Sequence, residues 1–249
     1  MRLPRWGAPG SYQPGSEPVM LAELVSPLRY DVLVRARFLE LLGERLDRVE
    51  GDLEGAVRVG LTHPYHVWFT TIALPRYRPR EAASERLRSA AFRERVRRSA
   101  ALLDSFRRHG FDPRHPVSLY TAVPGAATDS GKVVQRRLYP MDGCHRLALL
   151  LVAGHVTLEP AWYRVRAEPL AAPIDNTNAL LRALRIDHVE YYRFLSTGYA
   201  GDELADRAAL LHEVATRRPD RLAELERVLE IDERAIGRPV EFPCGGEDR

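Results

Sequence analysis

The sequence contains very little cysteine, and it lacks any long apolar run. Its two cysteines, Cys144 and Cys244, stand about a hundred residues apart, so they provide neither a disulfide framework nor the spacing of a zinc site. No apolar stretch approaches the roughly 20 residues of a membrane-spanning helix, and residues 1–7 lack the apolar core of a signal peptide. These absences predict a cytoplasmic protein without a membrane partner.

Lysine is nearly absent as well, since Lys132 is the only one and arginine supplies the other basic side chains. The chain has 37 basic and 34 acidic residues, which gives a formal charge of +3. This bias is mild and lacks the clustered charge of a typical nucleic-acid-binding domain. The sequence therefore argues against nucleic acid as the partner.

What the chain does contain is enough apolar material for a substantial core. Of its 249 residues, 45% are hydrophobic and 29% are charged, which is typical of a folded globular protein. Glycine, proline and changes in composition predict an α/β (α+β) protein with four parts. These parts are a flexible arm at 1–18, a mixed-sheet core at 19–168 with an insertion at about 50–80, a helical C-terminal lobe at 169–240, and a tail at 241–249.

Apolar residues at helical spacing predict an amphipathic helix over 29–47 and a long helix, or a pair of helices, over 81–109. Gly110 is positioned to end the second of these. In the C-terminal lobe the same spacing, punctuated by glycine and proline, predicts short helices at 180–184, 189–195, 203–216 and 221–229.

Strands are predicted where β-branched and aromatic residues dominate. The predicted strands are 65–74, 116–122, 133–139 and a segment within 155–166. Residues 51–60, which contain three glycines, are predicted to be a turn-rich joint.

Residues 138–154 are the most informative segment for function. A β-type segment ends at Pro140, a polar turn follows at residues 142–146, and an almost wholly apolar run then closes at Gly154. This order predicts a strand, a tight turn and a buried helix, whose N-terminus would attract phosphate or another anion. Within the turn, Gly143 allows close approach of a ligand, and Arg146 can donate two hydrogen bonds to phosphate oxygens.

A purely structural interpretation of the same turn stays open. Asp142 would then cap the helix, and Arg146 would pair with a surface acid. Lys132 follows a Ser-Gly pair and precedes the strand that leads into the turn, so it could reach phosphates. The alternative is that Lys132 is a solvated residue of a hairpin loop.

The turn Gly143-Cys144-His145-Arg146, preceded by strands, resembles the superfamily of sulfiredoxins and ParB N-terminal domains. Sulfiredoxins carry Gly-Gly-Cys-His-Arg here, while ParB-like and free-serine-kinase-like members carry an Asp-Gly-His-x-Arg type of turn before an Ala/Leu-rich helix. Asp142 matches the second group, whereas Cys144 and His145 match the first.

The resemblance covers roughly residues 19–31 and 84–167, and it implies a ParB/sulfiredoxin-like mixed-sheet core. Members of the superfamily bind a nucleotide whose phosphates contact the turn. The resemblance therefore implies that ATP or ADP, or alternatively CTP, binds with Mg²⁺ to this turn. The implied nucleotide-binding residues are Asp142, Gly143, Cys144, His145 and Arg146, with Lys132 as a further candidate.

In kinase-like members an acidic residue soon after a proline in the opening segment is the general base. Residues 19–31 are similar to that segment, and Asp31 is the nearest match. The resemblance thus implies a kinase for a small hydroxyl-bearing metabolite, in which Asp31 accepts the proton while His145 and Arg146 offset charge. That Asp31 is only an acid at a helix start stays an alternative.

Two other functions remain open at this stage. In sulfiredoxins the cysteine that matches Cys144 is the nucleophile of an ATP-dependent reductase, although Asp142 beside it opposes thiolate formation. The third hypothesis is a non-enzymatic, ParB-like nucleotide switch on DNA. Residues 170–231 show no helix-turn-helix with a basic recognition face, which weighs against it. Formation of a homodimer is left open.

Overall fold

The structure is a computed structural model that describes residues 11–48, 52–136 and 138–236. Over these residues the chain is an α+β protein, in which helices predominate around a small mixed sheet. The predicted class is confirmed at this level. Residues 1–10 of the predicted arm, and the whole predicted tail with Cys244, lie outside the described residues.

The main sheet has four short strands, in the spatial order β1-β6-β3-β4. Their bounds are β1 Tyr12–Pro14, β3 Val117–Tyr120, β4 Tyr139–Asp142 and β6 Tyr163–Arg166. Strand β6 pairs antiparallel with β1 and parallel with β3, and β3 pairs antiparallel with β4. Two further strands, β2 Val19–Met20 and β5 Thr157–Leu158, form a separate antiparallel pair. Strand β4 is thus an edge strand, and it leads directly into the polar turn.

The helices make up most of the described chain. Before the sheet's central strands they are α1 Leu21–Val25, α2 Tyr30–Arg48, α3 Leu53–Leu61, α4 Pro64–Trp68, α5 Leu74–Tyr77, α6 Pro79–Ala82 and α7 Glu85–His109. After them come α8 Cys144–Val152, α9 Thr177–Ala183, α10 His188–Tyr199, α11 Arg207–Arg217 and α12 Pro219–Glu233. No helix of the described residues is both long and apolar enough to cross a membrane.

The helices predicted from apolar spacing are confirmed. The prediction at 29–47 corresponds to α2, and the prediction at 81–109 is a pair, α6 and α7. Ser84 separates the pair and caps α7 by accepting a hydrogen bond from the amide of Leu87 at 3.3 Å. Gly110, with φ of +70°, ends α7 as expected. The four short predictions in the C-terminal lobe correspond to α9 through α12.

The predicted strand at 65–74 is wrong, because this segment is helical from α4 through a π-helical turn at Phe69–Ala73 into α5. Its aromatic and β-branched composition favours a strand, but its buried residues recur every three or four positions. The ring of Tyr65 stacks on Phe38 of α2 at 4.4 Å, and Phe69 lies 6.0 Å from Phe92 of α7. Packing between two helices therefore overrides local propensity.

The predicted joint at 51–60 is also wrong, since residues 53–61 form α3. Asp52 caps this helix by accepting a hydrogen bond from the amide of Gly55 at 2.7 Å. A Cβ atom at Gly60 would lie 3.2 Å from the ring of Phe92 and 3.3 Å from that of Phe38. Gly60 thus allows close helix packing rather than a turn.

The predicted strand at 133–139 lies too early in the chain, because the pairing residues are Tyr139–Asp142. Upstream, Val133 forms an isolated bridge with Ala127, and side chains bind the backbone that follows. The amide of Gln135 donates to Glu224 of α12 at 2.8 Å, and the amide of Arg136 donates to the hydroxyl of Tyr139 at 3.3 Å. The contact between Gln135 and α12 joins residues that are far apart in the sequence, so no local sequence pattern indicates it.

Helix α8 is buried at Cys144 and through its middle, and it packs against α2. Its residues Leu147 to Leu150 are at most 1% exposed. The predicted order of strand, tight turn and buried helix is therefore confirmed, with the strand shifted toward the turn.

Lys132 connects the C-terminal helices to the rest of the chain. It is fully buried, and its ammonium group lies 3.0 Å from Asp175 and 2.7 Å from Asp232 of α12. Tyr191 of α10 donates a hydrogen bond to the same Asp232. The alternative of a solvated Lys132 is therefore wrong. The buried residues before and after position 168 belong to one continuous core. The predicted domain boundary at this position stays a prediction.

The turn before α8 depends on Gly143, which has φ of +90°. A Cβ atom there would lie 3.1 Å from the Cα atom of Val117 in β3. We expect Gly143→Ala to lower the free energy of unfolding by about 2–4 kcal/mol, because it combines left-handed backbone strain with overpacking. Urea unfolding measures this change.

Gly154→Ala is the matched control. Gly154 ends the same helix with φ of +76°, but a Cβ atom added there would have nothing within 4 Å, so only the strain of about 1–2 kcal/mol applies. Equal losses in the two variants would show that the contact with β3 does not constrain the turn.

Candidate functional site

No side chain of the described residues caps the N-terminus of α8. Asp142 accepts a hydrogen bond from the adjacent amide of Gly143 at 2.6 Å, and its carboxylate is 79% exposed. The alternative in which Asp142 caps the helix is therefore wrong. The positive end of the α8 dipole thus lies next to the exposed carboxylate of Asp142.

A buried ion cluster lies against the first residue of α8. Asp31 is fully buried, and Arg29 donates two hydrogen bonds to its carboxylate, at 2.9 and 3.1 Å. Arg35, one turn further along α2, donates to the same carboxylate and to the backbone oxygen of Asp31. Burial by itself would raise the pKa of Asp31, but the two guanidinium groups outweigh it and hold this pKa below its ordinary value.

Arg29 connects this cluster to the turn. One of its nitrogens donates to the carbonyl of Pro140 in β4 at 2.6 Å, and another lies 2.7 Å from the Sγ atom of Cys144. Cys144 is only 9% exposed. The start of α2, the end of β4 and the start of α8 are therefore held together by one guanidinium group.

His145 points toward the helical segment that follows α3. Its Nε2 atom lies 3.0 Å from the hydroxyl of Tyr65 in α4. Burial, together with the positive charges of Arg35 and Arg95, holds the pKa of His145 well below its ordinary value of 6.5. The imidazole is therefore neutral at physiological pH, and it can take part in hydrogen bonds without adding charge to the turn.

Arg146 folds back over the chain that leads into β3. Its guanidinium group donates to the carbonyl of Pro116 at 2.9 Å and to that of His115. The carboxylate of Asp142 lies 4.0 Å away, at the limit of an ion pair. Carbonyl oxygens thus orient Arg146, and its pairing with a surface acid is limited to this long contact with Asp142.

Two further arginines, Arg95 and Arg164, lie close enough to act on the turn, although the sequence did not single them out as site residues. The charge of Arg95 acts on His145, and that of Arg164 acts on Arg146. Arg95 lies over the ring of Phe69, and Arg164 lies over the ring of Tyr12. Neither forms a salt bridge within the described part of the chain. The one sequence pattern that involved either of them is the alternation of polar and apolar residues that predicted a strand around Arg164.

The remaining candidate, Lys132, is held elsewhere. Because its ammonium group is buried between Asp175 and Asp232, it can contact a ligand only if those carboxylates move away. The structure therefore brings Asp31, Asp142, Gly143, Cys144, His145 and Arg146 together and leaves Lys132 out. Among the described residues, no group of three or more His, Cys, Asp or Glu side chains is arranged to hold a metal ion.

Comparisons of the chain with protein-family models, with curated proteins and with solved structures gave no match. What the turn can bind is therefore inferred from its own geometry and charge.

Asp31→Asn tests the buried cluster. The change leaves Arg29 and Arg35 without a counter-charge, so we expect a loss of about 3–5 kcal/mol in the free energy of unfolding at pH 7, measured with urea. Asp47→Asn is the control, because Asp47 forms an exposed pair with Arg107. The control should cost at most about 1 kcal/mol.

The effect of Asp31→Asn should also depend on pH. Because the folded-state pKa of Asp31 lies below the unfolded value of about 3.9, its stabilisation is present above the unfolded value and is lost progressively as the pH falls from there through the lower folded-state pKa. The stability difference between wild type and variant should be constant from about pH 5 to 8 and shrink below about pH 4. A difference that persists unchanged in acid would contradict the ion pairs.

Proposed function

We propose that the protein binds a nucleoside di- or triphosphate at the N-terminus of α8 and transfers a phosphoryl group to a small hydroxyl-bearing metabolite. The observation that carries this proposal is the uncapped end of a buried helix, surrounded by more guanidinium groups than carboxylates. Phosphate is the ligand that such a helix end favours. The resemblance of residues 142–146 to nucleotide-binding turns supports ATP or ADP, with CTP as another candidate.

The charges near the turn support a polyanion in particular. Arg29 and Arg35 share one carboxylate, that of Asp31, so the buried cluster keeps an excess of positive charge. Arg95 and Arg164 add charge without a salt bridge within the described residues. In the proposed complex, Arg146 and the first amides of α8 would contact the phosphates, and the other arginines would strengthen the positive potential.

Mg²⁺ fits the turn only as a companion of the nucleotide. Asp142 offers one exposed carboxylate, and a magnesium ion in phosphoryl-transfer enzymes takes most of its ligands from phosphates and water. When bound, Mg²⁺ would neutralise phosphate charge. In this proposal Asp142 helps to hold it, beside Arg146.

In this proposal Asp31 has a positioning role instead of the expected role of general base. Both oxygens of its carboxylate are bound by guanidinium groups, and the side chain is fully buried. A base needs a free lone pair within reach of the acceptor hydroxyl. Asp31 therefore holds Arg29 and Arg35 against the turn, while His145 contributes hydrogen bonding from a neutral ring.

Isothermal titration calorimetry with ATP, ADP and CTP, each with Mg²⁺, tests the proposal. We expect at least one of them to bind, and we expect Arg146→Met to weaken binding about tenfold or more, because a charge-assisted hydrogen bond to phosphate is lost. Arg95→Met should weaken it less, through the potential alone.

Arg182→Met is the control for these variants, because Arg182 is an exposed arginine on α9 without a salt bridge among the described residues. It should leave the affinity unchanged. If none of the three nucleotides binds at millimolar concentration, the proposed function is wrong. If Arg146→Met and Arg182→Met weaken nucleotide binding equally, the turn is not part of the binding site.

A second candidate function is an ATP-dependent reductase of the sulfiredoxin type. The contact of 2.7 Å between Arg29 and the sulfur of Cys144 favours it, because the contact places a positive charge beside the candidate nucleophile. Cys144→Ser separates the two. A phosphotransferase should keep its nucleotide-dependent turnover, whereas a reductase should lose all reduction of a sulfinic acid substrate. A variant that keeps full reductase turnover would exclude the cysteine mechanism.

A further inference from the structure

A cavity of about 250 Å³ lies between the beginning of the core and the C-terminal helices. It is lined by the segment from Glu17 to Leu24, by Gln135, Arg136 and Leu138, and by Gly198 and Arg221 of α10 and α12. Leu138 directly precedes β4, whereas the turn before α8 follows that strand. The cavity and the turn are therefore separated by the length of β4, about 13 Å. The cavity is therefore a different place from the proposed nucleotide site.

Arg136 is the unusual residue of this cavity. Its side chain is half-buried, and its Nε atom is removed from solvent and has no hydrogen-bond partner among the described residues. It forms no salt bridge with the part of the chain that the structure describes. Burial and the like charge of Arg221 lower its pKa, although Tyr199 and Glu224 act in the opposite direction. A desolvated N–H group of a guanidinium costs free energy unless a ligand accepts its hydrogen bond.

Glu224 is the nearby acid, but its hydrogen bonds go to other groups. Its carboxylate accepts from Arg221 at 2.6 Å, from the hydroxyl of Tyr199 at 2.7 Å and from the amide of Gln135 at 2.8 Å. The Nε atom of Arg221 is also buried without a partner. Glu224 is thus engaged by three other groups and forms no salt bridge with Arg136 among the described residues.

We propose that this cavity binds a small organic carboxylate, whose charged group pairs with Arg136. A carboxylate matches the planar fork of a guanidinium group. The apolar side chains of Leu24 and Leu138 line the same space and would contact the hydrocarbon part of the ligand. Glu17 and Glu23 also line the cavity and balance the charges of Arg136 and Arg221, so a ligand with one negative charge is favoured over a doubly charged phosphate.

Calorimetric titrations of the full chain with butyrate, acetate and inorganic phosphate, at matched ionic strength, test this site. Butyrate should bind more tightly than acetate, because its chain buries apolar surface. Arg136→Met should weaken butyrate binding at least tenfold, since it keeps the apolar stem and removes the charge. Arg227→Met, at an exposed position of α12, is the control and should bind butyrate as the wild type does.

Three results would overturn the proposal. If butyrate binds the wild type and Arg136→Met equally tightly, Arg136 is not part of the binding site. Absence of carboxylate binding to the wild type removes the site altogether. Phosphate binding that depends on Arg136, without carboxylate binding, makes the ligand class wrong. These titrations do not depend on the nucleotide proposal. If no nucleotide binds at the turn, the expected results for butyrate at the cavity stay the same.

The stability of Arg136→Met without ligand is an independent readout. If the guanidinium group is held ready for an anion, its removal should leave the melting temperature unchanged or raise it. A fall of more than about 4 °C would show that Arg136 supports the fold instead, and it would overturn the proposal.

Discussion

The buried carboxylate of Asp31 is the constraint on which the region around the turn depends. It lies in the interior because Arg29 and Arg35 bind it from two sides, and neither arginine could remain buried without it. Through Arg29 the same cluster reaches the carbonyl of Pro140 and the sulfur of Cys144. Three elements of the chain, α2, β4 and α8, are thereby fixed relative to one another.

Arginine is suited to this architecture in a way that lysine is not. One guanidinium group can donate several hydrogen bonds in fixed directions, so Arg29 binds a carboxylate, a carbonyl and a thiol at once. Arg146 likewise binds two carbonyls and keeps its charge. The modest net charge of +3 therefore hides a local excess of positive charge at the turn.

Local sequence signals predicted the parts of this structure that local interactions determine. The apolar run after residue 146 predicted a buried helix, and Gly143 predicted a tight turn, because both depend on neighbouring residues alone. The helical state of residues 65–74 and the burial of Lys132 could not be predicted in this way, since both result from distant partners. The same holds for Asp31, whose cluster includes Arg35, one turn away, but also reaches a sulfur more than a hundred positions later.

The state of the titratable groups at the turn limits the chemistry that the site can support. Asp31 has no free oxygen, and His145 is neutral with a pKa well below its ordinary value, so neither is a strong base in the conformation described. Phosphoryl transfer makes small demands on proton transfer, because its transition state is loose and carries most of its charge on the phosphoryl oxygens. A site rich in oriented arginines and poor in free bases is therefore better matched to stabilising that charge than to a reaction that begins with proton abstraction.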